Sequence, residues 1–177
     1  MIMKQPKYPS LYQVNTRVWL TQISGTLDRK ATLDDIPDTE LDRLAEMGFD
    51  WIWFLSVWTT GEKALTVSRN NPEWRRDFEE TLPDLKEEDI AGSGFAIAVY
   101  DVHPDLGGNE ALKRLRERLH QRGLKLMLDF VPNHMGPDHP WVENHPEYFV
   151  AGTDKDLVHD PQNFQCVKRS QGDMILA

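Results

Sequence analysis

The chain has 177 residues, 40% of them hydrophobic, enough for one globular domain with its own core. Its net charge of −9 argues against nucleic acid or an anionic membrane surface as a partner, since both attract cations. No run reaches the ~18 apolar residues of a membrane span, the first ten residues carry no secretory signal, and the single Cys166 excludes an internal disulfide, which together point to the cytoplasm.

Residues 11–23, LYQVNTRVWLTQI, mix β-branched and aromatic side chains and read as a strand. Next, Leu41, Leu44 and Ala45 recur at helical spacing, with Asp38 or Thr39 as the N-cap and Gly48 as the stop. FDWIWFLSVW then forms a near-continuous apolar run, as a parallel strand covered on both faces does. Of the six tryptophans, Trp51 and Trp53 fall in this run; aromatic rings also stack on flat ligands such as sugar faces, but these two read first as core packing. Residues 57–94 are polar and read as a long loop with a short helix near Glu73 to Glu80, the acidic run EETLPDLKEED being a solvated face. GFAIAVYDV, residues 94–102, is a short strand or an extended loop. After it, Ala111, Leu112, Leu115 and Leu119 form the stripe of the clearest helix, capped by Asn109 and closed by Gly123. LKLMLDF is a final strand. Strands alternating with helices predict a parallel α/β sheet, doubly wound or closed as a (β/α) barrel. No glycine-rich phosphate loop follows the first strand.

The chemistry concentrates in GLKLMLDFVPNHMG, residues 123–136. Strand parity places Leu124, Leu126, Leu128 and Phe130 on one face and Lys125, Met127 and Asp129 on the other. A carboxylate at the C-terminal end of a parallel strand stands where such folds keep their active sites. Asn133 and His134 begin the loop at that end. Two other readings stay open. Asp129 could serve only to bind backbone N–H groups. Asp129, His134, Asp138, His139 and His145 also have metal-ligand side chains, although none shows HxH or HExxH spacing.

LDFVPNHMG resembles the motif that closes the third barrel strand in the α-amylase family, glycoside hydrolase family 13. LYQVNTRVWL resembles that family's first strand and GFDWIWFLSVW its second. The segment from Gly92 to His134 resembles the stretch leading from an aromatic platform into the third strand, and HPW at 139–141 commonly follows. The likeness covers roughly residues 11–150. It implies a partial (β/α)8 TIM barrel, its first three to four β/α units, built by residues 1–177 as the N-terminal portion of a catalytic domain. It implies that Asp129 supports the nucleophile's surroundings, that His134 donates to a sugar hydroxyl, and that Phe95 stacks on the sugar where the family has tyrosine. In many members the residue matching Asn133 binds a structural calcium through its amide oxygen, an atom calcium accepts. No cofactor is required.

The implied reaction is retaining attack on an α-glucoside or oligosaccharide. It needs two carboxylates about 5–5.5 Å apart, which the family supplies after its fourth and fifth strands. Neither can be placed here: Asp154, Asp156 and Asp160 do not match the nucleophile's context. A full barrel takes ~250 residues. The expectation is therefore a barrel cut before its fourth strand, inactive alone and prone to self-association through its unpaired edge. The alternative is a non-catalytic protein that keeps the fold for sugar binding or protein interaction.

Overall fold

A computed structural model describes residues 7–177. The chain divides into two compact parts. The first comprises the chain up to Thr59 together with Tyr100–Pro132, and the second Thr60–Val99 with Asn133–Ala177.

In the first part, strand β1 spans Leu11–Asn15 and helix α1 spans Thr16–Leu27. The strand expected over residues 11–23 is thus only five residues long. Asn15 ends it: its side chain accepts the Val18 N–H at 3.3 Å and caps the helix. The buried residues of α1 are Thr16, Leu20 and Ile23, a helical spacing that the β-branched composition had masked. Helix α2, Asp38–Glu46, begins directly after Pro37, which takes the cap position without a side-chain bond. Strand β2 is Trp51–Leu55, and the short strand β3 is Trp58–Thr60.

Two helices occupy residues 57–94: α3, Glu62–Asn70, where a loop is expected, and α4, Pro72–Thr81, where the short helix near Glu73 to Glu80 is expected. Pro72 opens α4, and Asn71 caps it by accepting from the Glu73 and Trp74 N–H groups. Strand β4, Ile97–Val102, pairs with β3 in a two-stranded sheet. Helix α5 runs Gly108–Gln121 and strand β5 Lys125–Leu128. The cap of α5 is Gly107, at φ 96°, and not Asn109. The Asn109 side chain instead accepts the Val102 N–H at 2.8 Å and donates to Asp101. Gly123, at φ 76°, closes the helix as its position predicts.

β1, β2 and β5 form one sheet in that order, all parallel. Val14 lies beside Phe54, and Phe54 beside Leu128; Gln13 lies beside Trp53, and Trp53 beside Met127. The first row carries the core. Ile52, Phe54, Leu41, Leu44, Ala111, Leu115 and Leu119 are each at most 1% exposed, each worth about 1.5–3 kcal/mol for a large side chain. Trp51 and Trp53 lie on the opposite face, half-buried and outside this cluster, so they are not core packing. Phe130 also departs from expectation. It follows the end of β5, escapes the alternation and is 77% exposed.

Helix α5 carries a ladder at four-residue spacing with Asp34, in the short turn before α2, and with Asp38 and Asp42 of α2. Arg114 pairs with Asp34 at 2.6 Å, Arg118 with Asp38 at 2.9 Å, and Arg122 with Asp38 and Asp42 at 3.0 and 2.6 Å.

In the second part, Ala64, Ile90, Ile97, Ala98, Val142 and Leu176 are buried. Asp138 caps α3 from a distant loop, accepting the Lys63 N–H at 2.8 Å. Gly61 admits it, since a Cβ there would lie 2.0 Å from the carboxylate. Helices α6, Pro140–Asn144, and α7, Asp154–His159, precede an antiparallel hairpin of β6, Gln165–Val167, and β7, Met174–Leu176. Among the described residues, no helix is long and apolar enough to cross a membrane.

Candidate functional site

Asp129 follows directly on β5 and is 7% exposed. Its parity is the one expected, on the face of Met127 and Trp53. The Trp53 indole N–H donates to Oδ1 at 2.8 Å, and the Ser56 backbone N–H donates to Oδ2 at 2.6 Å. The Trp58 indole N–H donates to the Asp129 carbonyl at 2.9 Å. Both carboxylate oxygens are therefore engaged, as burial of a charged group demands. Ser56 sits at φ 63°, a left-handed conformation that costs about 1–2 kcal/mol for a residue with a Cβ. That turn is what aims its N–H at the carboxylate.

Aromatic residues continue beside Asp129. Trp58 and Tyr100 meet edge to face with centroids 5.3 Å apart, and Tyr100 and Phe130 lie at 6.2 Å. The Tyr100 hydroxyl accepts the Val131 N–H at 2.8 Å and donates to the Val131 carbonyl at 3.3 Å. The chain is thus fastened just beyond Phe130.

Asn133, His134 and Phe95 belong to the second part. Asn133 and His134 are exposed, with Asn133 Nδ2 3.4 Å from His134 Nδ1. Two residues beyond His134, the Gly136 N–H donates to the Ile97 carbonyl at 2.8 Å. Phe95 stands two residues before that same Ile97 and is 42% exposed. One backbone bond therefore anchors the His134 loop to the strand that Phe95 precedes. Glycine is required at 136, since a Cβ would come 2.7 Å from the Ala96 carbonyl oxygen.

The remaining metal-type side chains have local partners. Asp138 caps α3. His139 Nδ1 accepts the Trp141 N–H at 3.1 Å, and burial holds its pKa below the ordinary histidine value. His145 Nδ1 lies 3.0 Å from Glu147, whose carboxyl pKa that contact lowers. Among the described residues, no group of three or more His, Cys, Asp or Glu side chains is placed to hold a metal ion.

Motif spacing does not single out Trp53, Ser56 or Trp58, and composition assigns Trp53 to the core. Parity held a signal for Trp53, which shares a face with Asp129 and carries a donor. Ser56 left none, because its role depends on a left-handed turn that composition does not favour.

The family model "Alpha amylase, catalytic domain" matches residues 25–170. The chain is 38% identical over 135 residues to an alpha-1,4-glucan:maltose-1-phosphate maltosyltransferase of Salinibacter ruber, covering 73% of this chain and 19% of that protein. It is 32% identical over 116 residues to an alpha-glucosidase of Apis mellifera, covering 62% and 16%. An alpha-amylase structure from Lactobacillus plantarum superposes with a TM-score of 0.54 at 26% identity, over 82% of this chain and 28% of that one. Isomaltulose synthase from Klebsiella sp. LX3 does so with a TM-score of 0.60 at 18% identity, over 98% and 29%. The chain thus spans about a fifth of the length of the maltosyltransferase. Its three parallel strands are the opening strands of a (β/α)8 barrel. With a family match over most of its length, the chain belongs to the alpha-amylase family.

Proposed function

We propose that this chain is the N-terminal portion of a retaining enzyme acting on α-glucosides in the cytoplasm, by hydrolysis or by glycosyl transfer. The observation that carries the proposal is the placement of Asp129. A buried carboxylate with both oxygens bonded stands at the C-terminal end of the third parallel strand, followed by Asn133 and His134. In this reading Asp129 holds the surroundings of a nucleophile, His134 donates to a sugar hydroxyl, and Phe95 offers a ring for the sugar face. The named relatives act on α-linked glucose compounds, which supports that substrate class. A calcium at Asn133 would need other oxygen ligands, and no step depends on it.

Retaining chemistry needs one ionised and one protonated carboxyl across one sugar. Of the candidate carboxylates that follow the motif, Asp156 is bonded in a capping box with Thr153 and Asp160 accepts from Asn163, while Asp154 opens helix α7. The 177-residue chain is therefore inactive by itself in this proposal, and the open edges of its three-stranded sheet favour association. The purified chain should release no nitrophenol from 4-nitrophenyl α-glucoside above a blank. Its mass by light scattering should exceed that of a monomer. Turnover that Asp129→Asn abolishes would overturn the claim of a missing catalytic pair, and a stable monomer would overturn the claim of association.

A further inference from the structure

We infer that Trp53, Ser56 and Trp58 form one positioning device for Asp129, in which the Trp53 indole N–H sets the carboxylate's rotamer. The inference rests on the reading of Asp129 as a supporting carboxylate in α-glucoside chemistry.

The last residue of β5 in the ladder is Leu128, beside Phe54. Asp129 stands beyond it, so strand pairing alone does not hold its side chain. What holds it is a set of three bonds from one six-residue stretch. Trp58 fixes the backbone through the carbonyl. Trp53 and Ser56 each take one carboxylate oxygen. Two donors on separate oxygens fix both side-chain torsions, which a single bond would leave free to swing. The indole is well suited to this work, since it donates only and cannot be turned into an acceptor. Ser56 supplies a backbone donor from a left-handed residue, a conformation retained where surrounding structure requires it.

Trp51 is the internal control. It lies two residues earlier on the same strand face, with the Lys125 ammonium 4.9 Å from its ring, and none of the hydrogen bonds to Asp129 comes from it. If apolar packing held Asp129, Trp51 and Trp53 would matter alike. If the donor holds it, Trp53 matters and Trp51 does not.

The test reads the Asp129 χ1 rotamer by three-bond couplings from backbone nitrogen and carbonyl carbon to Cγ, in the labelled 177-residue chain without sugar. The unaltered chain should show one dominant rotamer. Trp53→Phe should move the populations toward the about one third per well of a free side chain. Trp51→Phe and Ser56→Gly, which keeps the N–H, should leave them unchanged. Asp129→Asn, read at the other partner, should shift the Trp53 indole proton upfield. A single rotamer kept in Trp53→Phe, equal averaging in Trp51→Phe, averaging in Ser56→Gly, or an unmoved indole proton would each overturn the inference. Because no sugar is present, failure of the α-glucoside reading leaves these couplings untouched, and failure of the couplings leaves sugar recognition untouched.

Discussion

Replacing Asp129 by asparagine changes one atom and should cost more than most surface substitutions. Two N–H donors converge on the carboxylate, at 2.8 and 2.6 Å. A carboxylate accepts at both oxygens, whereas an amide offers one acceptor and one NH2 group. Whichever way the asparagine turns, its NH2 must face either the Trp53 indole N–H or the Ser56 N–H. One donor loses its partner, and the other loses the charge on its acceptor. Hydrogen bonds to charged groups contribute about 1.5–3 kcal/mol. Trp53 is only half-buried, so water recovers part of its loss, and a net cost of about 2 kcal/mol follows. At this chain length that lowers Tm by about 4–8 °C. Asp129→Ala strands both donors and should cost about 3–4 kcal/mol on the same basis. Urea unfolding followed by tryptophan fluorescence and circular dichroism measures both. An Asp129→Asn variant within about 0.5 kcal/mol of the parent, the scatter of neutral surface changes, would refute the argument that both oxygens are needed.

Three further outcomes follow from the same geometry. Phe54→Ala empties a site that is 0% exposed and stacked on Trp19 at 6.1 Å, and should cost about 3–5 kcal/mol in urea unfolding; a loss under 1 kcal/mol would contradict the placement of the core. The bonds from Arg114 and Arg118 hold the Asp34 and Asp38 carboxyls below the usual carboxylate range. Depressed folded pKa values add stability that is present above the unfolded value near about 4 and lost as pH falls through the lower folded value. Tm should therefore drop below about pH 4 more steeply in the parent than in an Asp34→Asn, Asp38→Asn variant; equal slopes would remove the ladder from the account. His134→Ala should leave Tm within about 1 °C, since an exposed side chain with one 3.4 Å neighbour carries little of the fold, yet should abolish maltoheptaose-dependent shifts in the NMR spectrum; a large Tm loss with unchanged shifts would make His134 structural.

The parallel sheet and the parity of Asp129 were legible because both follow from local pattern. Alternation along β5 places Asp129 beside Met127, and the stripe of Ala111, Leu115 and Leu119 fixes the helix that covers the other face. What escaped depends on tertiary or stereochemical detail. Helix α1 hid behind a β-branched composition that tertiary burial of Thr16, Leu20 and Ile23 overrides. Helix α3 escaped because the carboxylate that caps it is Asp138, seventy-five residues from Lys63. Asn109 has cap chemistry but spends it on Val102 and Asp101. The tryptophans of β2 looked like core because aromatic residues dominate cores. Their alternation with Ile52 and Phe54 already assigned them to the other face. Fold and family were thus readable from residues 11–150, whereas the bonds that hold Asp129 required the coordinates.

The central claim is that this chain carries one end of an α-glucoside site, and the most direct test is a titration of the 15N-labelled chain with maltoheptaose against cellohexaose as the β-linked control. The account predicts saturable shifts at Phe95, Asn133 and His134 with maltoheptaose and none with cellohexaose. Equal shifts with both sugars, or maltoheptaose shifts confined to residues away from these three, would contradict it.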